Sequence, residues 1–310
     1  MNTTKKRLIN SSKSSLPKSG KTIWWLLKLI LPISLGVSFL QYWGVINFVA
    51  AYLTPVFSII GLPGESAVAF ISSFFLPLYA PIAIISTLSL EIREITILAI
   101  MCLISHNLLM ETAIQKKTGS SALAIFSIRL ICSFTAAYIL NLLLPAHLGT
   151  SQAIEKSIAY ADVYSMLINW IKNAGMLSIK IAMIITGLMM LQSILKEFKI
   201  LDFISKIFAP LMRIMGLKTD SSFLWFIAQT LGLTYGSAVM IEEIENNQIT
   251  KESANLLNYH IAINHSLLED TLLFVAIGVP AGWIIAPRVI LAMIVVWGFR
   301  AIKYRSEKTK

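Results

Sequence analysis

Several apolar stretches, each about 20 residues long, run through this chain of 310 residues, and a helix of that length matches the hydrocarbon core of a bilayer. That many cannot be buried together in one water-soluble core. The composition agrees, with 56% of residues hydrophobic and 14% charged, against roughly 45–50% and about 25% in ordinary soluble domains. The fold class expected is therefore an all-α polytopic membrane protein, since backbone polar groups in lipid must be paired internally.

The net charge of +10 looks like a nucleic-acid signal until it is located. Lys5, Lys6, Arg7, Lys13, Lys18 and Lys21 precede the first apolar stretch without an acid, and Arg300, Lys303, Arg305, Lys308 and Lys310 outnumber Glu307 at the other end. The two tails hold the whole excess and read as cytoplasmic anchors facing anionic lipid; nucleic acid is not an expected partner. The stretch from Thr22 to Trp43 is too long for a signal-peptide core and lacks a small-residue cleavage site, so it reads as a spanning helix. Cys102 and Cys132 sit in apolar runs at no disulfide or metal-pair spacing. Ser19-Gly20-Lys21-Thr22 ends like a phosphate loop, but Ser15 stands where that motif needs glycine.

Laid on itself at a shift of 159, the chain pairs His106 with His265, Glu111 with Asp270, Thr112 with Thr271, Gly119 with Gly278 and Arg129 with Arg288. At a shift of 155, Pro55 meets Pro210, Gly61-Leu62 meets Gly216-Leu217 and Glu65 meets Asp220. Each copy reads as a spanning helix (22–43; 176–195), an amphipathic interfacial stretch (45–60; 200–216), a broken apolar segment (66–90; 220–243) and a helical pair (93–116 with 120–144; 251–274 with 281–303). The chain thus divides into a basic tail (1–21), a first repeat (22–145), a connecting segment (146–175), a second repeat (176–303) and a basic tail (304–310).

Charge gives the copies their orientation. No Lys or Arg lies between Lys28 and Arg93, whereas the matching span carries Lys196, Lys199, Lys206, Arg213 and Lys218, which puts the first linker outside and the second inside. Lys156, Lys172 and Lys180 run against this assignment. Copies that cross in opposite senses must each cross an odd number of times, so one of four apolar segments enters and leaves on one side. The broken segments, interrupted by Pro77 and Pro81 or by Gly232 and Gly236, are the candidates for re-entrant hairpins; the alternative is that they are kinked spanning helices. The expectation is two inverted-topology repeats, about six spanning helices, two re-entrant or broken hairpins and two interfacial helices, in the inner or plasma membrane with both termini cytoplasmic.

The strings Pro-Leu-Met-x-x-x-Gly-Leu (210–217), Leu-Gly-Leu-Thr-Tyr-Gly (231–236) and His-Ser-Leu-Leu-Glu-Asp-Thr-Leu-Leu-Phe (265–274) resemble the nucleoside-recognition or Gate domain of membrane proteins. That domain is shared with concentrative nucleoside transporters, the gate region of the ferrous-iron transporter and spore-maturation membrane proteins. The likeness covers about residues 45–303 and is strongest in the second copy; in the first, Tyr79 lies between prolines and Met110 replaces Glu269. The resemblance implies a transporter core of inverted units and, as a first cargo, something nucleoside-like.

Candidate substrate or ion ligands are Asp270, Glu269, His265, Asn264, Ser266 and Thr271, with His106, Asn107 and Glu111 in the matching stripe. An acid at mid-membrane costs ~2.5–3.5 kcal/mol on insertion scales and needs a partner or a wet cavity. Glu269 points about 100° away from Asp270 on a helix. Tyr79, Tyr235, Thr234 and Ser237 occupy the hairpin tips. Arg129 and Arg288 are expected as structural ion-pair partners of Glu111 and Asp270. No resident metal or cofactor is expected, although His265 and Glu269 are four apart and could hold a divalent ion.

The leading expectation is a permease that moves a small polar solute or ion by alternating access, with membrane lipid and that solute as partners and self-association left open. The alternative is a non-transporting assembly factor of the spore-maturation type, and the third is a divalent-metal permease. An enzyme is not expected, as no nucleophile and base pair can be placed. The inverted topology makes a direct prediction. In a cysteine-free background, Ser58→Cys and Ser205→Cys should be labelled by an impermeant maleimide from opposite sides; labelling from one side would remove the inversion.

Overall fold

The structure, a computed structural model, describes residues 3–148, 162–198 and 200–308. Its elements come in two series that follow the same order. The first contains α1 (Thr3–Tyr42), α2 (Val45–Ile59), α3 (Ser66–Phe75), α4 (Tyr79–Ile85), α5 (Ile92–Ser105), α6 (Leu108–Lys117) and α7 (Ala122–Leu143). The second contains α8 (Val163–Glu197), α9 (Ile200–Ile214), α10 (Ser222–Leu231), α11 (Leu233–Glu245), α12 (Lys251–Ile263), α13 (Glu269–Val275) and α14 (Ala281–Lys308). No strand occurs among the described residues. Five helical stretches there are long and apolar enough to cross a membrane: Thr4–Tyr42, Ile92–Lys117, Ala122–Leu143, Val163–Leu195 and Ala281–Ile302. The sixth span expected, 251–274, is divided into α12 and α13.

The basic leader is continuous with the first spanning helix, so that α1 has 40 residues and is about 60 Å long. It runs antiparallel to α8: Arg7 Nε donates to Glu197 Oε1 at 2.8 Å near one end, and Trp170 Nε1 donates to Ser34 Oγ at 3.0 Å toward the other. Large apolar side chains on the outside, among them Trp24, Trp25, Phe48, Tyr52, Ile179 and Met183, suit a surface that meets hydrocarbon. Lys180, one of the lysines that oppose the charge rule, donates to the Ala276 carbonyl at 3.1 Å and so caps the end of α13.

Both helical pairs are interrupted where the sequence pattern reads as continuous. α5 ends at Ser105, Asn107 takes φ 46°, and α6 begins at Leu108; α12 ends at Ile263, Ser266 takes φ 48°, and α13 begins at Glu269. The left-handed residue is tied down identically in each half. Asn107 N–H donates to the Ser73 carbonyl of α3 at 2.7 Å, and Ser266 N–H to the Ala228 carbonyl of α10 at 3.0 Å. The hairpin segments break as well, at Leu76-Pro77-Leu78 between α3 and α4 and at Gly232 between α10 and α11.

Further matched pairs hold each half together. α2 closes with Gly61 N–H on Ser58 O and Leu62 N–H on Phe57 O; α9 closes with Gly216 N–H on Arg213 O and Leu217 N–H on Met212 O, the double bond of a Schellman stop. Asn141 Nδ2 on α7 then reaches Ile59 O, and Trp297 Nε1 on α14 reaches Ile214 O at 3.0 Å. Gly216 sits at φ +76°, and an added Cβ would lie 2.9 Å from Val296 Cγ1. Gly216→Ala should therefore lower stability by about 1–2 kcal/mol through left-handed strain alone. Gly187→Ala, in α8 with open space around it, should leave stability unchanged or slightly higher. Thermal unfolding in detergent checks both.

Candidate functional site

A helix that stops inside a low-dielectric interior leaves its last carbonyls without partners. α5 and α12 stop beside the two histidines, and a buried arginine from the following long helix reaches each stop. Arg129 donates through Nε to Ile104 O at 2.7 Å and through Nη2 to His106 O at 2.6 Å. Arg288 donates through Nη1 toward His265 O at 3.5 Å, through Nη2 to Thr271 Oγ1 at 2.9 Å and through Nε to Ile284 O at 2.8 Å. Both arginines are fully buried.

The arginines also place the acids. Arg129 Nη1 lies 2.8 Å from Glu111 Oε2, a buried ion pair at the start of α6. Arg288 meets Thr271 rather than Asp270, whose Oδ2 is buried without a hydrogen-bond partner. The expected Arg129–Glu111 contact is thus present, whereas the Arg288–Asp270 contact is replaced by a hydroxyl.

Each histidine ring is fixed by its Nδ1 atom. His265 Nδ1 lies 2.7 Å from Ile261 O, and His106 Nδ1 lies 3.2 Å from Leu103 O and 3.3 Å from Cys102 O. A carbonyl only accepts, so each Nδ1 carries a hydrogen, and a ring that carries no second one presents an Nε2 lone pair. The two Nε2 atoms face each other at 3.2 Å. Glu111 Oε1 is 3.5 Å from both, and Asp270 Oδ2 is 3.8 Å from His106 Nε2. Ligand atoms of His106, His265 and Asp270 all lie within 4.8 Å of one another. Residues from both halves therefore converge on one buried centre.

The other candidates are distributed around it. Glu269 points elsewhere, as its 100° offset requires, and its Oε1 accepts from Tyr79 Oη at 2.6 Å, joining α13 of one half to α4 of the other. His265 and Glu269 therefore do not form the metal pair that their spacing allowed. Asn264 is fully buried, with neither side-chain atom hydrogen-bonded; Ser237 Oγ is likewise buried and unpaired. Ser266 is buried and Asn107 half-buried. The side chains of Thr234 and Tyr235 lie outside the described residues.

The pattern missed a second junction. Gln115 Nε2 donates to Asn258 O at 2.9 Å, and Asn258 Nδ2 donates to Thr118 Oγ1 at 2.7 Å and Ser120 Oγ at 2.9 Å. These residues fasten the end of α6 to α12. Gln115 and Asn258 read as ordinary polar positions in sequence, although the equivalent turns at Gly119 and Gly278 gave a signal that the ends of α6 and α13 were special. Removal of the central cation gives the sharpest structural test. Arg129→Met strands a buried carboxylate and two carbonyls, and should cost about 3–5 kcal/mol; Arg129→Met with Glu111→Leu should regain a substantial part of it in the same unfolding assay.

Among curated proteins, the chain is 31% identical over 277 residues to a Bacillus subtilis (strain 168) protein described as uncharacterized membrane protein YvoD, covering 88% of this chain and 89% of the relative. No solved structure matches. The Gate family model, described as nucleoside recognition, matches residues 23–145 and 178–299. These matched spans contain both histidines, both acids and both arginines of the buried centre, and the chain belongs to the Gate family of nucleoside-recognition domains.

Proposed function

We propose that this membrane protein is a permease that moves a small polar solute or ion by alternating exposure of the centre between its halves. The observation that carries the reading is the meeting of His106 and Glu111 from one broken helix with His265 and Asp270 from the other. Groups with this insertion cost persist in a membrane protein where they bind cargo or relay charge. Broken helices that turn their interrupted ends toward a shared site are the usual construction of such binding centres.

On this reading the two series of helices are inverted-topology repeats. Each contributes three crossings and one re-entrant hairpin, α3–α4 or α10–α11, and both termini are cytoplasmic in the inner or plasma membrane. The matched backbone contacts at Asn107 and Ser266 and the opposite charge of the two linkers support that arrangement. The division into tails (1–21, 304–310), repeats (22–145, 176–303) and a connecting segment (146–175) is a functional one, since α1, α8 and α14 each run unbroken across one of its boundaries; residues 149–161 of the connector lie outside the described set. The centre binds rather than catalyses.

Its dimensions favour a small ion over a nucleoside, because the polar atoms of the two halves stand 3.2–3.8 Å apart with no gap for a base or ribose. Uptake of a pooled set of labelled nucleosides, bases and divalent metals into proteoliposomes tests the reading. The native chain should accumulate one class, and Asp270→Asn should reduce the rate at least about 10-fold while inserting normally. Absence of flux in both, with correct insertion, would favour the membrane assembly-factor alternative.

A further inference from the structure

We propose that the buried centre is a site for one divalent transition-metal ion, coordinated by His106 Nε2, His265 Nε2, Glu111 Oε1 and Asp270 Oδ2. This deepens the permease reading by naming the ligand class of its site, and it rests on that reading only for the step of translocation.

Four features support it. First, the Nδ1 contacts to Cys102, Leu103 and Ile261 carbonyls aim both Nε2 lone pairs inward, the outer hydrogen bonding that orients a metal-binding imidazole. Second, with a hydrogen on each Nδ1, the two Nε2 atoms at 3.2 Å need one cation between them, a metal ion or a proton. Third, bonds of ~2.0–2.1 Å to a tetrahedral ion require donor atoms ~3.3 Å apart. Of the six edges of such a set, four stand at 3.2, 3.5, 3.5 and 3.8 Å, and the His265–Asp270 edge is no longer than 4.8 Å. Fourth, Asp270 Oδ2 is buried and unpartnered, so a carboxylate oxygen is available where the fourth bond is needed.

Arg129 holds Glu111 through Oε2 and leaves Oε1 toward the histidines. Imidazole and carboxylate together suit zinc, cobalt, nickel or iron(II), and the set contains no thiolate to select copper(I). Cys102 and Cys132 are buried free thiols outside this donor set. The remaining positive choice for the space between the rings is a shared proton, and the experiment separates the two.

The tag-free full chain, stripped with chelator in detergent, is dialysed against Co²⁺ or Zn²⁺. One ion per chain is expected, with the intense visible bands of four-coordinate cobalt. His106→Ala and His265→Ala should each weaken binding about 100-fold or more. His260→Ala, a buried histidine paired with Trp225, should bind as the native chain does. His106→Gln keeps the size of the side chain and guards against loss of fold: Zn²⁺ should raise the Tm of the native chain and not of this variant.

A native chain that binds no ion, or one whose affinity both histidine substitutions leave unchanged, overturns the site and favours the shared proton. An ion that binds at this centre but is not carried into proteoliposomes retains the site and removes that ion as the permease's cargo. Flux of another solute through a chain that binds no ion retains the permease and removes the site.

Discussion

Two helices end inside an apolar interior, and most of the organisation around the centre follows from satisfying those ends. The carbonyls freed at Ile104, His106 and His265 must find donors, because an unpaired buried backbone group costs as much as a lost hydrogen bond. Arg129 and Arg288 supply them from α7 and α14. A guanidinium has five donors in a fixed fork, so one side chain can cap a helix and still hold an acid or hydroxyl. This constraint brings charge into the interior, and the charge in turn decides which carboxylate is held directly by arginine and which lies beside a histidine instead.

The left-handed residues Asn107 and Ser266 extend the same logic. Neither break has glycine or proline, the usual residues at such points, and each is held by a bond from its N–H to a carbonyl of the hairpin segment. The hairpin, the broken helix and the arginine helix are thereby one mechanical unit in each half. Contacts between units are fewer and more specific, among them the histidine pair, Glu111 with His265, Asp270 with His106, Tyr79 with Glu269, and Gln115 with Asn258.

Much of the fold was legible because it depends on local pattern. Five of the six expected spans are helices long and apolar enough to cross a membrane, and the pairing of residues across the chain follows from spacing alone. The pairing even located the centre, since His106 and His265 meet directly although 159 positions separate them. The breaks beside these residues were not legible, because long-range hydrogen bonds, rather than helix propensity, stabilise Asn107 and Ser266. The roles of the acids were half legible: a 100° offset correctly separates Glu269 from Asp270, but spacing cannot reveal that Arg288 prefers Thr271. Gln115 and Asn258 illustrate the remaining limit, since a polar residue reads alike whether it meets water or another half of the fold.

The contact from Tyr79 to Glu269 has a consequence for energetics. Two halves of identical sequence would make the inward-open and outward-open forms of a permease equal in energy. Here α13 provides a carboxylate to the hairpin of the opposite half, and at the matching position α6 carries Met110, which has no carboxylate to offer. In such a permease this contact would be one of the places where the two forms differ in energy, beside Arg288 with Thr271 where the other half has Arg129 with Glu111. A single intramolecular hydrogen bond is worth about 0.5–1.5 kcal/mol, enough to shift a resting population by a factor of about two to ten. On the permease reading, each such departure from internal symmetry would give the molecule a preferred direction in which to wait.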